Sequence, residues 1–190
     1  MSRRAAGLVL ALALLAVAGG LAWWWQAEHG GRRTRRSGPA AAADSLPTER
    51  RGFDLYFPTA GGTLRAEHRE LGVSDAPKDR IRKTLEALLA GPQSAGLVRP
   101  FPEQVKLGSV QLSDGGTAFV DLRWPEHDEP PASGSTEEIQ RIYSIVNSVA
   151  LNVPQAARVV VLWNGTQRDT FSGHLDTSRP LLPDRTLLAP

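Results

Sequence analysis

A chain of 190 residues is long enough for one domain with additions at its ends. Its 22 Lys and Arg against 20 Asp and Glu leave a net charge of +2, but residues 1–52 carry a net +5 and residues 53–190 a net −3. A mildly acidic body excludes the phosphate-neutralising face of a nucleic-acid-binding domain. The absence of Cys excludes disulfides, thiolate metal sites, a Cys nucleophile and a lipid-modified Cys anchor.

Ala5 to Trp25 is a run of 21 uncharged residues, mostly Ala and Leu, that closes on three Trp. A helix of that length spans about 30 Å, the thickness of a bilayer's hydrocarbon core, and Trp23–Trp25 fall where an interfacial aromatic belt belongs. Residues 1–25 therefore read as a signal anchor that attaches the chain to a membrane through residues 5–25. A cleaved signal peptide competes: Arg3 and Arg4 form a basic n-region, Ala5–Leu15 an apolar h-region, and Ala16-Val17-Ala18 a cleavage site. With so short an N-terminal tail, the C-terminal domain is expected outside the cytoplasm, in the periplasm or the extracellular space. Residues 26–52, rich in Gly, Ala, Ser and Arg and without hydrophobic period, read as a flexible basic linker.

The folded part is expected from Phe53 to residue 182. Phe53, Leu55 and Phe57 alternate with Asp54 and Tyr56 as in a half-buried strand that Pro58 ends. Gly61-Gly62 turns the chain into Leu64–Leu71, whose Arg, Glu and His content suits an exposed edge strand. Asp75 is positioned to cap a helix with Pro77 in its first turn, with Ile81, Leu85, Leu88 and Leu89 inward. Gly91 is the left-handed stop, and Pro92 forbids continuation. Val105 and Leu107 alternate in one phase and Val110 and Leu112 in the other, so a β-bulge is expected at Gly108. Thr117–Leu122 is a further strand, and residues 124–134 form an acidic, Pro-rich loop.

The stretch from Gly134 to Gly165 is the centre of the domain. Ser135 is placed as an N-cap with Glu138 in the capping-box position, and Ile139, Ile142, Tyr143, Val146, Val149 and Ala150 recur on one helical stripe. After Pro154, Val159–Trp163 is an unbroken apolar strand and Asn164-Gly165 a hairpin turn. Thr166–Phe171 is expected to return as a polar strand, and residues 183–190 to trail as a C-terminal tail. The passage from Thr117–Leu122 through the helix to Val159–Trp163 is long enough for a right-handed parallel crossover. These elements predict a single α+β domain, a mixed β-sheet with two helices packed on one face.

Six motifs stand here in one order: LYFP at 55–58, LLAGP at 88–92, Gly116–Leu122 ending in Val-Asp-Leu, GSTEEIQRIYSIVNS at 134–148, VVVLWNG at 159–165 and GHLDTSRPL at 173–181. Together they resemble the GerMN domain, named after a spore-germination protein, over about residues 53–182. The resemblance implies a fold like that of ring-building domains in secretion and sporulation assemblies. It also implies an extracytoplasmic, membrane-attached and non-catalytic role through protein or envelope contacts, without a cofactor. Many relatives are lipoproteins; this chain has no Cys, so its apolar segment replaces lipid as the anchor. Gly91, Pro92, Asp121, Gly173, His174, Asp176 and Arg179 fall on the family-like motifs as structural or interaction residues.

His174 with Ser172 and Asp176 has the composition of a catalytic triad. On a strand, however, the three side chains would project side by side, whereas a triad holds the imidazole between two groups facing it. The motif reads better as a knot that ties the tail to the body, with Arg179 pairing an acid. His174 and Asp176 as metal ligands lack a third. The Glu126–Glu129 run reads as a solvated acidic loop, since consecutive side chains diverge. Contact surfaces are expected at the edge strand around Glu67 and at the loop bearing Trp124. They would serve a protein partner or self-association in the envelope. A peptidoglycan-binding module is the alternative, for which Trp124 beside acidic residues is the hint.

Overall fold

The computed structural model describes residues 48–189; the expected anchor at 5–25 and the basic linker up to residue 47 lie outside them. Strands β1 (Glu49–Pro58) and β2 (Leu64–Val73) form an antiparallel hairpin that is a sheet of its own. Helix α1 (Pro77–Leu89) follows, then β3 (Lys106–Leu112), β4 (Thr117–Arg123), helix α2 (Ser135–Ala150), β5 (Arg158–Trp163) and a two-residue β6 (Thr166–Gln167). The second sheet has the order β3-β4-β5-β6, with β4 and β5 parallel across the α2 crossover and the other pairs antiparallel. The expected α+β class and mixed sheet are present, and the first hairpin makes a second sheet beside it.

Strand alternation gives the core. Ala118, Val120 and Leu122 of β4 pair across with Val159, Val161 and Trp163 of β5, and all six are buried. From β3, Leu107 pairs with Leu122 before the irregularity and Val110 with Val120 after it, so the bulge at Gly108 is where the apolar phase flips. A side chain at Gly108 would meet Asp121 Oδ2 at 2.8 Å and Arg123 Cγ at 2.7 Å, which explains the Gly. Ile81, Leu85 and Leu88 of α1 and Phe53, Leu55 and Phe57 of β1 belong to the same cluster. Both helices contact both sheets.

Several boundaries differ from expectation. β1 begins at Glu49, and Glu49–Gly52 pair with Val73–Glu70, so the expected linker ends four residues early. Residues exposed on both faces carry no period-two signal. The polar return strand is two residues long; beyond it the described chain makes isolated bridges, Thr170 with Asp176, Val159 with Leu181 and Leu64 with Leu188. Neither proposed cap holds. Gly134 occupies the cap position of α2 and Ala76 that of α1, both without a side-chain cap bond. Asp75 instead bonds Arg51, while Asp79 accepts from the Ser74 amide at 2.7 Å and hydroxyl at 2.9 Å.

Helix α2 departs furthest from an amphipathic reading. Its apolar stripe is buried as expected at Ile142, Val146 and Val149, with Ile145 added and Tyr143 only partly covered. Yet Glu138, Gln140, Arg141, Ser144, Asn147 and Ser148 are buried as well. Most of these polar side chains bond backbone groups of other segments, while Ser144 donates to the Gln140 carbonyl of its own helix. Ser148 Oγ accepts from the Tyr56 amide at 2.9 Å, and Asn152, just past the helix, accepts from the Asp54 amide at 2.9 Å. Gln140 donates to the carbonyls of Thr59 and Thr63 at the hairpin turn. Asn147 exchanges two bonds with the backbone of Asp184, and the Ala189 amide donates to Leu64 at 2.7 Å. The segment expected as a loose tail from residue 183 is thereby part of the fold, held by bonds that leave no periodic trace in sequence.

Two substitutions separate the roles of this helix. Ile142→Ala removes a fully buried side chain and is expected to cost about 2–5 kcal/mol. Ser148→Ala strands the buried Tyr56 amide and is expected to cost about 1–3 kcal/mol. Urea melts of the domain check both; a Ser148→Ala variant as stable as the parent would show that β1 does not depend on the helix for its edge.

Candidate functional site

The motif at 172–179 gathers around Glu138, a residue read from sequence only as half of a capping box. Glu138 is 0% exposed. Its Oε1 accepts from the amides of Ser172 at 2.7 Å and Leu175 at 3.2 Å. Its Oε2 accepts from the His174 amide at 2.9 Å and lies 2.9 Å from the His174 Nδ1. Gly173, at φ +103°, gives the bend that turns these amides onto one carboxylate, a conformation an L side chain rarely adopts. The reason for this position of the acid is the first turn of α2, which points it at the returning chain instead of back to its own N-terminus.

One turn on, Arg141 gathers the remaining loops. Its Nε donates to the Pro100 carbonyl at 2.9 Å, Nη1 to the Pro131 carbonyl at 2.9 Å and Nη2 to Glu137 at 2.6 Å, with the guanidinium over the Phe101 ring. The Ser172 hydroxyl donates to the same Pro131 carbonyl at 3.1 Å. Burial pushes the Glu138 carboxyl up, but the Ser172 amide, the His174 ring and the Leu175 and His174 amides outweigh it and hold it below the ordinary glutamate range.

The other singled-out residues are structural ties of the same kind. Asp121, 1% exposed, accepts from the Gly165 amide at 2.7 Å and from Arg123 Nε at 2.6 Å, which pins the Asn164-Gly165 turn to β4. Asn164 completes that turn at φ +48° and bonds the Trp124 amide through its Oδ1. Gly91 ends α1 at φ +92°, with Arg99 donating to the Leu89 and Ala90 carbonyls across it, and Pro92 follows partly buried. Asp176 accepts from the amide and hydroxyl of Ser178, and among the described residues the expected ion pair of Arg179 is not formed.

Two placements correct the sequence reading of contact residues. Glu67 is not a free edge group: it is 7% exposed, and its carboxylate accepts from Arg69 and from the amides of Gln93 and Ser94. Arg69 in turn donates to the Ala87 and Gly91 carbonyls, so the pair clamps the end of α1 to β2. Trp124 is half-buried, packed against the core, and the His127 ring covers one face at a centroid distance of 3.7 Å. Its loop is fixed by Trp163 Nε1 and Asn164 Nδ2, which both donate to the His127 carbonyl. A groove of about 450 Å³ lies between the end of α1 and the start of β3, lined by Leu89, Val105 and Leu107. Its rim charges are already engaged, Arg99 with Glu103 and Lys106 with the Glu103 carbonyl.

An α+β body with a parallel crossover helix and a motif of polar residues folded onto that helix defines a class of small domain. The chain belongs to the Germane family, described as sporulation and spore germination, which matches residues 54–169. The first GerMN domain of the sporulation protein GerM from Bacillus subtilis superposes with a TM-score of 0.52 at 18% identity, covering 72% of this chain and 98% of that one. A candidate lipoprotein from Clostridium perfringens superposes with a TM-score of 0.51 at 21% identity, covering 70% of this chain and 87% of that one. Comparison with curated protein sequences returns no match. The family resemblance read from the motifs holds, although the 173–181 motif lies beyond the matched residues.

The Glu138 tie has a testable pH signature. A carboxyl whose folded pKa lies below its unfolded value adds stability that is complete above the ordinary range, about 4.3, and lost as pH falls through the folded value. Glu67 is shifted in the same direction: burial pushes it up, and the bonds from Ser94, Arg69 and Gln93 outweigh burial. Glu138→Gln is expected to cost about 1–3 kcal/mol at neutral pH, because a carboxamide turns its NH2 toward amides that have lost their acceptor. The same variant should flatten the acid limb of stability against pH, as read by denaturant melts from pH 7 to 3.

Proposed function

We propose that this chain is a membrane-tethered, extracytoplasmic member of its family that acts by contact as a scaffold or interaction module of the cell envelope. The observation that carries the reading is the engagement of the motif's polar groups within the fold. His174 turns its Nδ1 to Glu138, Ser172 donates to a backbone carbonyl, and Asp176 accepts from the Ser178 amide and hydroxyl. A nucleophile requires a base within hydrogen-bond reach and an acid that orients the base; here each member of the would-be triad faces a different structural partner. The 21-residue apolar run at 5–25 supports attachment to a membrane. The sporulation and germination description of the family supports a role in such an assembly. A tether also raises the effective concentration of neighbours on the same membrane without any new contact.

The glycan-binding reading is the weaker one. A sugar platform needs an open aromatic face, and one face of Trp124 is taken by His127.

Two measurements test the proposal. Intact-mass analysis of the membrane-extracted chain is expected to retain residues 1–25; a mature terminus at Gly19 would overturn the anchor. Incubation of the purified protein with peptidoglycan is expected to release no fragments. Cleavage that disappears on His174→Ala in a folded variant would overturn the contact reading.

A further inference from the structure

We propose that Asn164 is a modification site held latent by the fold. Its side chain deamidates through the Gly165 amide when the turn opens, and Asp121 blocks that reaction while the turn is closed. The inference stands apart from the contact reading above. The sequence supplies the reactivity. Asn147, Asn152 and Asn164 are the Asn residues of the chain, and Asn164 alone precedes a Gly. In deamidation the backbone nitrogen that follows an Asn attacks its side-chain carbonyl carbon. A bond forms from the Gly165 nitrogen to Cγ, the Cγ–Nδ2 bond breaks, and ammonia leaves with the proton of the Gly165 amide. Water then opens the succinimide at either carbonyl and gives aspartate or isoaspartate. A following Gly sets no side chain against the attack and lets the backbone rotate to reach it. The pair that suits a tight hairpin turn is therefore also the most reactive Asn in the chain.

The structure restrains each reacting group. The Gly165 amide donates to Asp121 Oδ1 at 2.7 Å, and Arg123 Nε holds the other carboxylate oxygen at 2.6 Å. To attack, the nitrogen must break that bond, turn toward Cγ and shed its proton. A buried carboxylate at that distance opposes the negative charge that would form on the nitrogen. The carbon under attack is held as well. Asn164 Oδ1 accepts from the Trp124 amide at 2.9 Å, and Nδ2, the leaving group, donates to the carbonyls of Trp124 at 3.2 Å and His127 at 2.9 Å. The Asn164 amide donates to the Leu122 carbonyl at 2.8 Å, which holds the main chain of the turn against β4. Ring closure therefore waits for the turn to leave these partners.

Once the reaction has happened, the turn does not reclose. A carboxylate at position 164 has no donor to offer the Trp124 and His127 carbonyls, and it adds a second negative charge beside Asp121. Isoaspartate also lengthens the main chain by a methylene inside a turn whose residues sit at φ +48° and +85°. The bonds that join the turn to the start of the 124–134 loop are lost together. Asn164 thus keeps a covalent record of whether this end of the domain has opened.

The test incubates the full-length protein in detergent at mildly alkaline pH, folded and, in parallel, unfolded in guanidinium chloride. Peptide mapping and enzymatic methylation of isoaspartate follow conversion at Asn164. The unfolded chain is expected to convert while the folded chain stays intact. The suppression should match the hydrogen-exchange protection of the Gly165 amide, because both processes need that amide to leave Asp121. Asp121→Ala, with its fold checked by circular dichroism, is expected to raise the folded-state rate about tenfold or more, as loss of a bond to a charged group allows. Its rate in guanidinium chloride should equal that of the parent. Conversion in the folded parent as fast as in the unfolded chain overturns the proposal. So does a folded Asp121→Ala that converts no faster than the parent, or an intact Asn164 beside a freely exchanging Gly165 amide. The exchange comparison uses the parent alone and decides the matter even where Asp121→Ala fails to fold.

Discussion

A single buried carboxylate decides how this domain closes. Glu138 sits in the first turn of the crossover helix with no exposure to solvent, and an ionised acid there is tolerable only because three amides and an imidazole converge on it. Those donors come from residues 172–175, well past the last strand pairing of the sheet. The chain after β6 buries Phe171 against Phe101 and Trp163 and packs Leu175 and Leu181 on the core, and the bonds to Glu138 fix the polar stretch between these anchors. Arg141, one turn along, does the same for the loops at Pro100 and Pro131.

The same device recurs wherever the two small sheets leave backbone groups open. A two-stranded hairpin cannot pair its outer amides, and α2 closes the inner edge with Ser148 and, just beyond its end, Asn152. Glu67 and Arg69 hold the exit of α1, and Asp121 holds the turn after β5. A helix buried nearly all round by polar residues is therefore not a fault in an amphipathic pattern. Its polar side replaces the strands that a larger sheet would have supplied. On the outer edge of β2, among the described residues, the closing bond is that of the Ala189 amide to Leu64.

The sequence was most legible where burial follows a period. The unbroken apolar run Val159–Trp163 located one central strand and Thr117–Leu122 the other, the phase flip at Gly108 located the bulge, and Ile142, Val146 and Val149 marked the inner face of the helix. It was least legible where the tie is a side chain bonding a distant backbone. Glu138 three residues after Ser135 has the spacing of a capping box, and nothing local distinguishes that from an acid reaching 34 residues on to Ser172. Glu67 on a charged strand looks solvent-facing until the loop at Gln93–Ser94 is seen to fold over it. The motif residues Gly173 and His174 were placed by resemblance, and their physical reason emerges only with Glu138 in view.

Native-state hydrogen exchange followed by NMR tests the central role of this carboxylate most directly. At neutral pH the amides of Ser172, His174 and Leu175 are expected to be protected far beyond exposed loop amides. In Glu138→Gln they should lose that protection while the amides of β4 and β5 keep theirs. Rapid exchange of the three amides in the parent protein, or protection unchanged by the substitution, would contradict the account.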